Sequence, residues 1–226
     1  MFVRRISLGA TLSVLLMPTM PKGSSSNVTT SPPFDALYAT TPLTGPYQRM
    51  GYGATAQLML TGRLGVNASL FMRRIGYKFN SDIFTGTDNP LTTADERTHT
   101  VMNNDTRAKL YDLPVVVRFY GKDRHEAGTR WFAEFGGSIR RVSNIRTAID
   151  TTINDGTLTC CDNTPTKPAK RNVHGLVGGA GLQFIDPLGI RVVPEVRYTR
   201  WMGETFNSIA TITRRNQVEA MISLTF

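Results

Sequence analysis

The C-terminal segment constrains the fold most. Between Asn216 and Phe226, Val218, Ala220, Ile222, Leu224 and Phe226 fall on one face of an extended chain; Gln217, Glu219, Met221, Ser223 and Thr225 fall on the other. A period of two sustained this far is a β-strand with one apolar and one polar surroundings, not a helix.

The same alternation recurs along the chain. From Gln48 to Leu60, Met50, Tyr52, Ala54, Ala56, Leu58 and Leu60 oppose Gly51, Gly53, Thr55 and Gln57. After the short turn Thr61-Gly62-Arg63, Leu64, Val66, Ala68, Leu70 and Met72 oppose Gly65, Asn67, Ser69 and Arg73, which predicts a tight hairpin. Leu113, Val115, Val117 and Phe119 mark a further strand within Leu110 to Tyr120. Trp131, Ala133, Phe135 and Ile139 oppose Glu134, Ser138 and Arg140, and Leu176, Ala180, Leu182 and Phe184 oppose Val177, Gly179, Gly181 and Gln183. Past the turn Asp186-Pro187-Leu188-Gly189, Ile190, Val192, Val196 and Tyr198 oppose Glu195, Arg197 and Thr199.

These are seven strands, and closed bacterial barrels made of one chain have an even number. The segment 1–17 can supply the eighth: Ile6, Leu8, Ala10, Leu12, Val14 and Leu16 alternate with Ser7, Gly9, Thr11 and Ser13. Arg4 and Arg5 before an apolar stretch also suit a secretion signal, but a signal core has no reason to alternate and no clear small-residue cleavage site follows. The strand reading implies a secretion signal upstream of this sequence or already removed. Eight strands across residues 1–226 make one all-β domain, an antiparallel up-and-down transmembrane barrel. The apolar faces look at lipid and the polar faces inward.

Connection lengths agree with that plan. Counted back from a periplasmic C-terminus, the turns at Thr61, Gly121 and Asp186 lie on the periplasmic side, and the long stretches at about 18–46, 81–107, 148–171 and 203–213 lie outside. Only 19% of residues are charged and 40% are hydrophobic, yet no run approaches the roughly 20 apolar residues of a spanning helix. Cys160 and Cys161 are adjacent in a polar segment, so they form neither a disulfide framework nor a zinc site.

Several motifs resemble a known family. Pro194-Glu195-Val196-Arg197-Tyr198-Thr199-Arg200-Trp201, the glycine-rich Gly175 to Gly181, Asn216-Gln217-Val218-Glu219 and Arg73-Arg74-Ile75-Gly76-Tyr77 are similar to segments of small outer-membrane β-barrel domain proteins of Acidobacteria-like bacteria. In architecture these resemble the OmpA/OmpX-type and PorT-like eight-stranded barrels. Phe226 at the end of an amphipathic strand looks like the signal by which such barrels reach their assembly machinery. The resemblance implies an integral outer-membrane protein and assigns no specific function.

Two residue sets are candidate sites. The inward set comprises Glu134, Glu195, Glu219, Arg118, Arg140, Arg197, Gln57, Gln183 and Gln217. An eight-stranded interior has room for side chains only, so these groups must pair with one another or with trapped water. A packed ion-pair plug is expected; a proton or ion path is the sharper alternative. The second set is a basic collar at the external strand ends: Arg73, Arg74, Lys78, Lys109, Arg141, Arg146, Arg171, Arg200, Arg214 and Arg215. It would meet lipopolysaccharide phosphates, the stems of its side chains snorkelling along apolar surroundings. Trp201, Tyr198 and Tyr77 are expected in an outer aromatic belt, and Trp131, Phe119, Phe184 and Phe226 in a periplasmic one.

The net charge of +9 would also suit nucleic acid, but no zinc, helix-turn-helix or RNA-binding signature is present. His99, His125 and His174 are too scattered for a metal site or a triad, and carboxylate-pair catalysis needs a cleft that a closed barrel lacks. No cofactor is implied. The expectation is a monomeric, non-enzymatic surface protein with no wide pore. The main alternative is a soluble lipocalin-like carrier, which would bury Leu58, Val115, Leu182 and Ile222 and expose Glu134, Glu195 and Arg197. An outer-membrane lipid-modifying enzyme is a third choice.

Overall fold

A computed structural model describes residues 5–20, 34–43, 46–87, 91–93, 95–123, 128–154, 157–160, 167–186, 189–207 and 211–226; for 34–40, 42, 46–47 and 157–160 it describes the backbone alone. His125, Pro187, Leu188 and Cys161 lie outside the described residues. The strands are β1 (Ile6–Leu15), β2 (Phe34–Pro42), β3 (Met50–Met59), β4 (Leu64–Thr85), β5 (Thr98–Tyr120), β6 (Arg130–Ile153), β7 (Thr157–Cys160), β8 (Asn172–Ile185), β9 (Arg191–Trp201) and β10 (Asn216–Thr225). A single helical turn, α1 (Pro46–Arg49), precedes β3.

Eight of these strands close into an antiparallel ring. Each neighbour in the order β1, β3, β4, β5, β6, β8, β9, β10 is hydrogen-bonded to the next, and β10 returns to β1 with Gly9 opposite Thr225 and Leu15 opposite Glu219. The segment that could have been read as a secretion signal therefore supplies the closing strand. Closure leaves no free edge in the eight-stranded ring, the condition for strands to exist in lipid.

Gly9 sits at the seam for a steric reason: a Cβ there would stand 1.9 Å from the Leu224 carbonyl oxygen. Gly9→Val should force the first and last strands apart and cost about 1–3 kcal/mol. The check is the temperature at which the detergent-resistant folded form converts to the unfolded one on a gel; an unchanged midpoint would contradict this account of the seam.

The pleat sorts side chains as the alternation requires. Leu58, Val115, Leu182 and Ile222 are exposed on the outer wall, while Glu134, Glu195 and Arg197 are buried inside. That is the reverse of what a lipocalin-like carrier needs, and this arrangement overturns that alternative. On β4 the outward apolar run goes from Leu64 to Met72, about 27 Å along the strand. At a tilt of roughly 40° this gives a belt about 21 Å tall, close to the roughly 25 Å band of membrane barrels.

The long polar stretches are less loop-like than their composition suggests. β4 and β5 run on as a continuous ladder to Thr85 and Thr98, and β6 continues beside them to Ile153. β2 pairs with the outer edge of β4 from Tyr77 to Thr85, and β7 pairs with β6 from Asp150 to Ile153. The stretches expected as loops at 18–46, 81–107 and 148–171 thus contain strand segments of a sheet, β2-β4-β5-β6-β7, that rises from one rim of the barrel. From Arg74 to Thr85 it extends for about 36 Å along the strand. A register shift between Arg107 and Lys109, with Asn144 in the left-handed region at φ 51°, marks where wall becomes projecting sheet.

The barrel interior and its basic rim

Inward positions stack in layers. At the short-turn end, Met59, Tyr120, Phe132 and Val193 form an apolar floor with Ile185 packed against it. At the opposite end Met20 and Phe206, from the connections after β1 and β9, pack with Ile75, Tyr77, Ala108, Leu110 and Val142. Two ion-pair clusters lie between these layers.

The first cluster is a four-membered ring of charge. Arg118 donates to Glu134 at 2.7 Å and to Glu195, and Arg197 donates to Glu134 at 2.9 Å and to Glu195 at 2.7 Å. Each carboxylate thus faces two guanidinium groups and each guanidinium two carboxylates, with all four side chains buried. β8 makes room for them: a Cβ on Gly179 would come 3.0 Å from Glu134 Oε1, and one on Gly181 would come 2.6 Å from Phe132. Inward glycines on one strand therefore accommodate large side chains on its neighbours.

The second cluster is a chain. Arg140 grips Asp112 through two parallel bonds of 2.7 Å and donates to Gln217 at 2.7 Å, while its guanidinium lies 4.0 Å over the ring of Trp201. Trp201 Nε1 also donates to Gln217 Oε1, at 2.7 Å. Arg73 reaches Asp112 at 3.4 Å, Glu219 at 3.1 Å and Ser13 at 3.0 Å. Below, Arg130 stacks 4.1 Å over Tyr120 and donates to Gln183 at 3.4 Å, and Arg191 donates to Ser7.

Of the nine interior residues expected from sequence, Glu134, Glu195, Arg118 and Arg197 share one cluster, and Glu219, Arg140 and Gln217 share the other. Gln183 lies with Arg130, and Gln57 instead donates to Met59 Sδ at 3.1 Å. Asp112, Arg130, Arg191 and Trp201 belong to the interior as well and were not among those nine. Their parity on the strand was the available signal, since Asp112 is in phase with Arg118 and Arg191 with Arg197.

Three placements correct the sequence reading. Arg73, expected in the external collar, is 1% exposed and faces inward, because it shares the phase of Asn67 and Ser69. Trp201 and Tyr77, expected in an outer aromatic belt, are 3% and 4% exposed and point into the barrel for the same reason. Tyr198, Trp131, Phe119, Phe184 and Phe226 are on the outer wall. Phe226 also pairs its backbone with Leu8, with N–H to O at 2.9 Å.

On four strands the next outward position past the apolar run is basic: Arg74 on β4, Lys109 on β5, Arg141 on β6 and Arg200 on β9. Lys78 and Arg146 lie higher on the projecting sheet, and Arg171, Arg214 and Arg215 in the adjoining connections. Arg200 donates to Asn216 at 3.2 Å and Arg215 to Glu204 at 3.0 Å. His99 is far from this rim, stacked 4.4 Å from Phe84, and His174 is exposed on the outer wall.

A closed ring of eight antiparallel strands, apolar outside and charged within, is the architecture of small outer-membrane β-barrels. Among solved structures, the outer membrane protein OprG from Pseudomonas aeruginosa is similar over 97% of this chain and 93% of its own, at 10% identity and a TM-score of 0.50. Ail, the attachment invasion locus protein of Yersinia pestis, determined with the heparin analogue sucrose octasulfate, is 13% identical over 97% of this chain and 94% of its own, with a TM-score of 0.39. Compared by sequence, the chain matches no protein-family model and no curated protein.

Proposed function

We propose that this chain is an integral, monomeric outer-membrane β-barrel protein with a structural or surface-interaction role and no enzymatic activity. In this reading the short turns face the periplasm and the projecting sheet faces the outside. The observation that carries the reading is the closed outer wall of exposed apolar side chains around a filled, charged interior. Such a wall is stable only against lipid, since water would face a patch far larger than soluble monomers expose. The partners implied are outer-membrane lipid, lipopolysaccharide at the basic collar, and the barrel assembly machinery that inserts such chains.

The interior argues for structure over transport. Apolar layers of buried side chains lie at both ends of the ion-pair clusters, and porin-type channels need about 16 strands. The test is extraction from membranes in mild detergent followed by electrophoresis with and without boiling. The folded chain should resist the detergent unheated and change apparent mass on boiling, and in planar bilayers it should show no steady single-channel current. A freely soluble chain with no heat-dependent shift would overturn the proposal; a reproducible conductance would overturn its non-transport part.

A further inference from the structure

The basic collar is not uniform. On the outer face where β4, β5 and β6 leave the barrel, Arg74 stands directly opposite Lys109, and Arg107 directly opposite Arg146. Side chains of directly opposed residues are neighbours, and like charges so placed destabilise a sheet. Two such pairs in successive rows are an arrangement that an anion between them would relieve. A groove of about 680 Å³ lies at this place, lined by these four cations, Lys78, Gln48, Asn144 and Leu43 among others, and by no carboxylate among the described residues. Asp105, two residues along β5, holds Arg107 at 2.9 Å and leaves the Arg74–Lys109 row without an acid opposite it. Gln48 also lines the groove, and its side-chain amide offers an acceptor for a ligand N–H or O–H.

What lies beneath identifies the ligand's other half. The next outward pair toward the short-turn end is Met72 opposite Tyr111, and Leu70 and Leu113 beyond them are exposed. A molecule seated here would have phosphate-binding cations at its head and an apolar wall along its body. Asn144, at the register shift between β5 and β6, also lines the groove.

The geometry points to a seat for one lipopolysaccharide molecule: the phosphates on its glucosamine backbone lie between Arg74, Lys109, Arg107 and Arg146, its amide or hydroxyl donors face Gln48, and its acyl chains run down over Met72, Leu70 and Leu113. This deepens the collar reading above and rests on it, since this rim must face the outer leaflet. Guanidinium groups suit phosphate because their planar forks bind two oxygens at once.

The test uses the full chain, folded in detergent, with lipid A as probe and native mass spectrometry as readout. Wild type should hold one diphosphorylated lipid A about tenfold more tightly than the dephosphorylated form, and inorganic phosphate should not compete at equal concentration. R74Q/K109Q should lose about tenfold, at least about threefold more than R200Q/R215Q, which thins the collar elsewhere on the rim. Both double variants should keep the heat-dependent gel shift, which shows the barrel intact. Equal losses in the two variants would overturn the groove and leave a general collar; no preference of wild type for the phosphorylated lipid would overturn the collar as well. Competition by inorganic phosphate at equal concentration would make the site a phosphate site and overturn the lipid assignment.

Discussion

Val115→Arg should destabilise the folded chain in a bilayer by about 2–4 kcal/mol, the cost of a cation at the midplane of a barrel's lipid face. Val115 is the middle outward residue of the β5 run from Phe119 to Tyr111 and is exposed on the wall. Phe119→Arg, at the margin of the same run, should cost only about 0–1 kcal/mol through its charge. The pair therefore reads depth, and a soluble protein would show no such gradient. Refolding into lipid vesicles across a urea series, followed by gel mobility, gives both numbers. Equal effects at the two positions would refute the placement of the apolar belt.

Glu134→Ala should be comparably severe, at about 3–5 kcal/mol, because it leaves Arg118 and Arg197 facing a single buried carboxylate. The informative comparison is replacement of all four members, Arg118→Met, Glu134→Leu, Glu195→Leu and Arg197→Met. Removing every charge avoids the unpaired ions, so the quadruple change should cost less than the single one despite altering more atoms. Urea midpoints in the same lipid measure both. If the quadruple variant is the less stable, the ring contributes more net attraction than its desolvation costs, and the expected order is wrong.

The wall was legible in the sequence because membrane and interior impose opposite demands on successive residues. Ile222 and Ser223 could not exchange roles without a register slip that would turn the whole strand over. The projecting sheet was not legible for the same reason. Beyond Arg74 and Lys109 neither face meets lipid, so the stretch from Thr98 to Arg107 has no apolar alternation to detect, and its Thr, Asn and Asp residues read as loop. Arg73, Tyr77 and Trp201 lie past the apolar runs of their strands, where position along the strand suggests a rim and phase suggests the interior. For each of them phase alone points inward. The partners within the interior were beyond reach on other grounds: Arg118 meets Glu195 across a separation of 77 residues, through a closure and stagger that no local pattern encodes.

The three long strands make the outer part of this protein a beam rather than a tether. β4, β5 and β6 pass from wall to projection as one hydrogen-bonded ladder, so the hairpin tip near Thr85 and Thr98 is clamped to the barrel at a fixed distance and orientation. A pull on the tip would load those ladders and be carried into the wall, where a flexible loop would merely straighten. Shifting the pairing of β4 by one residue inside the membrane would move its far end by about 3.3 Å and exchange the faces it presents outside. The bilayer that fixes the register of the wall thereby also fixes which side chains the protein displays well above it.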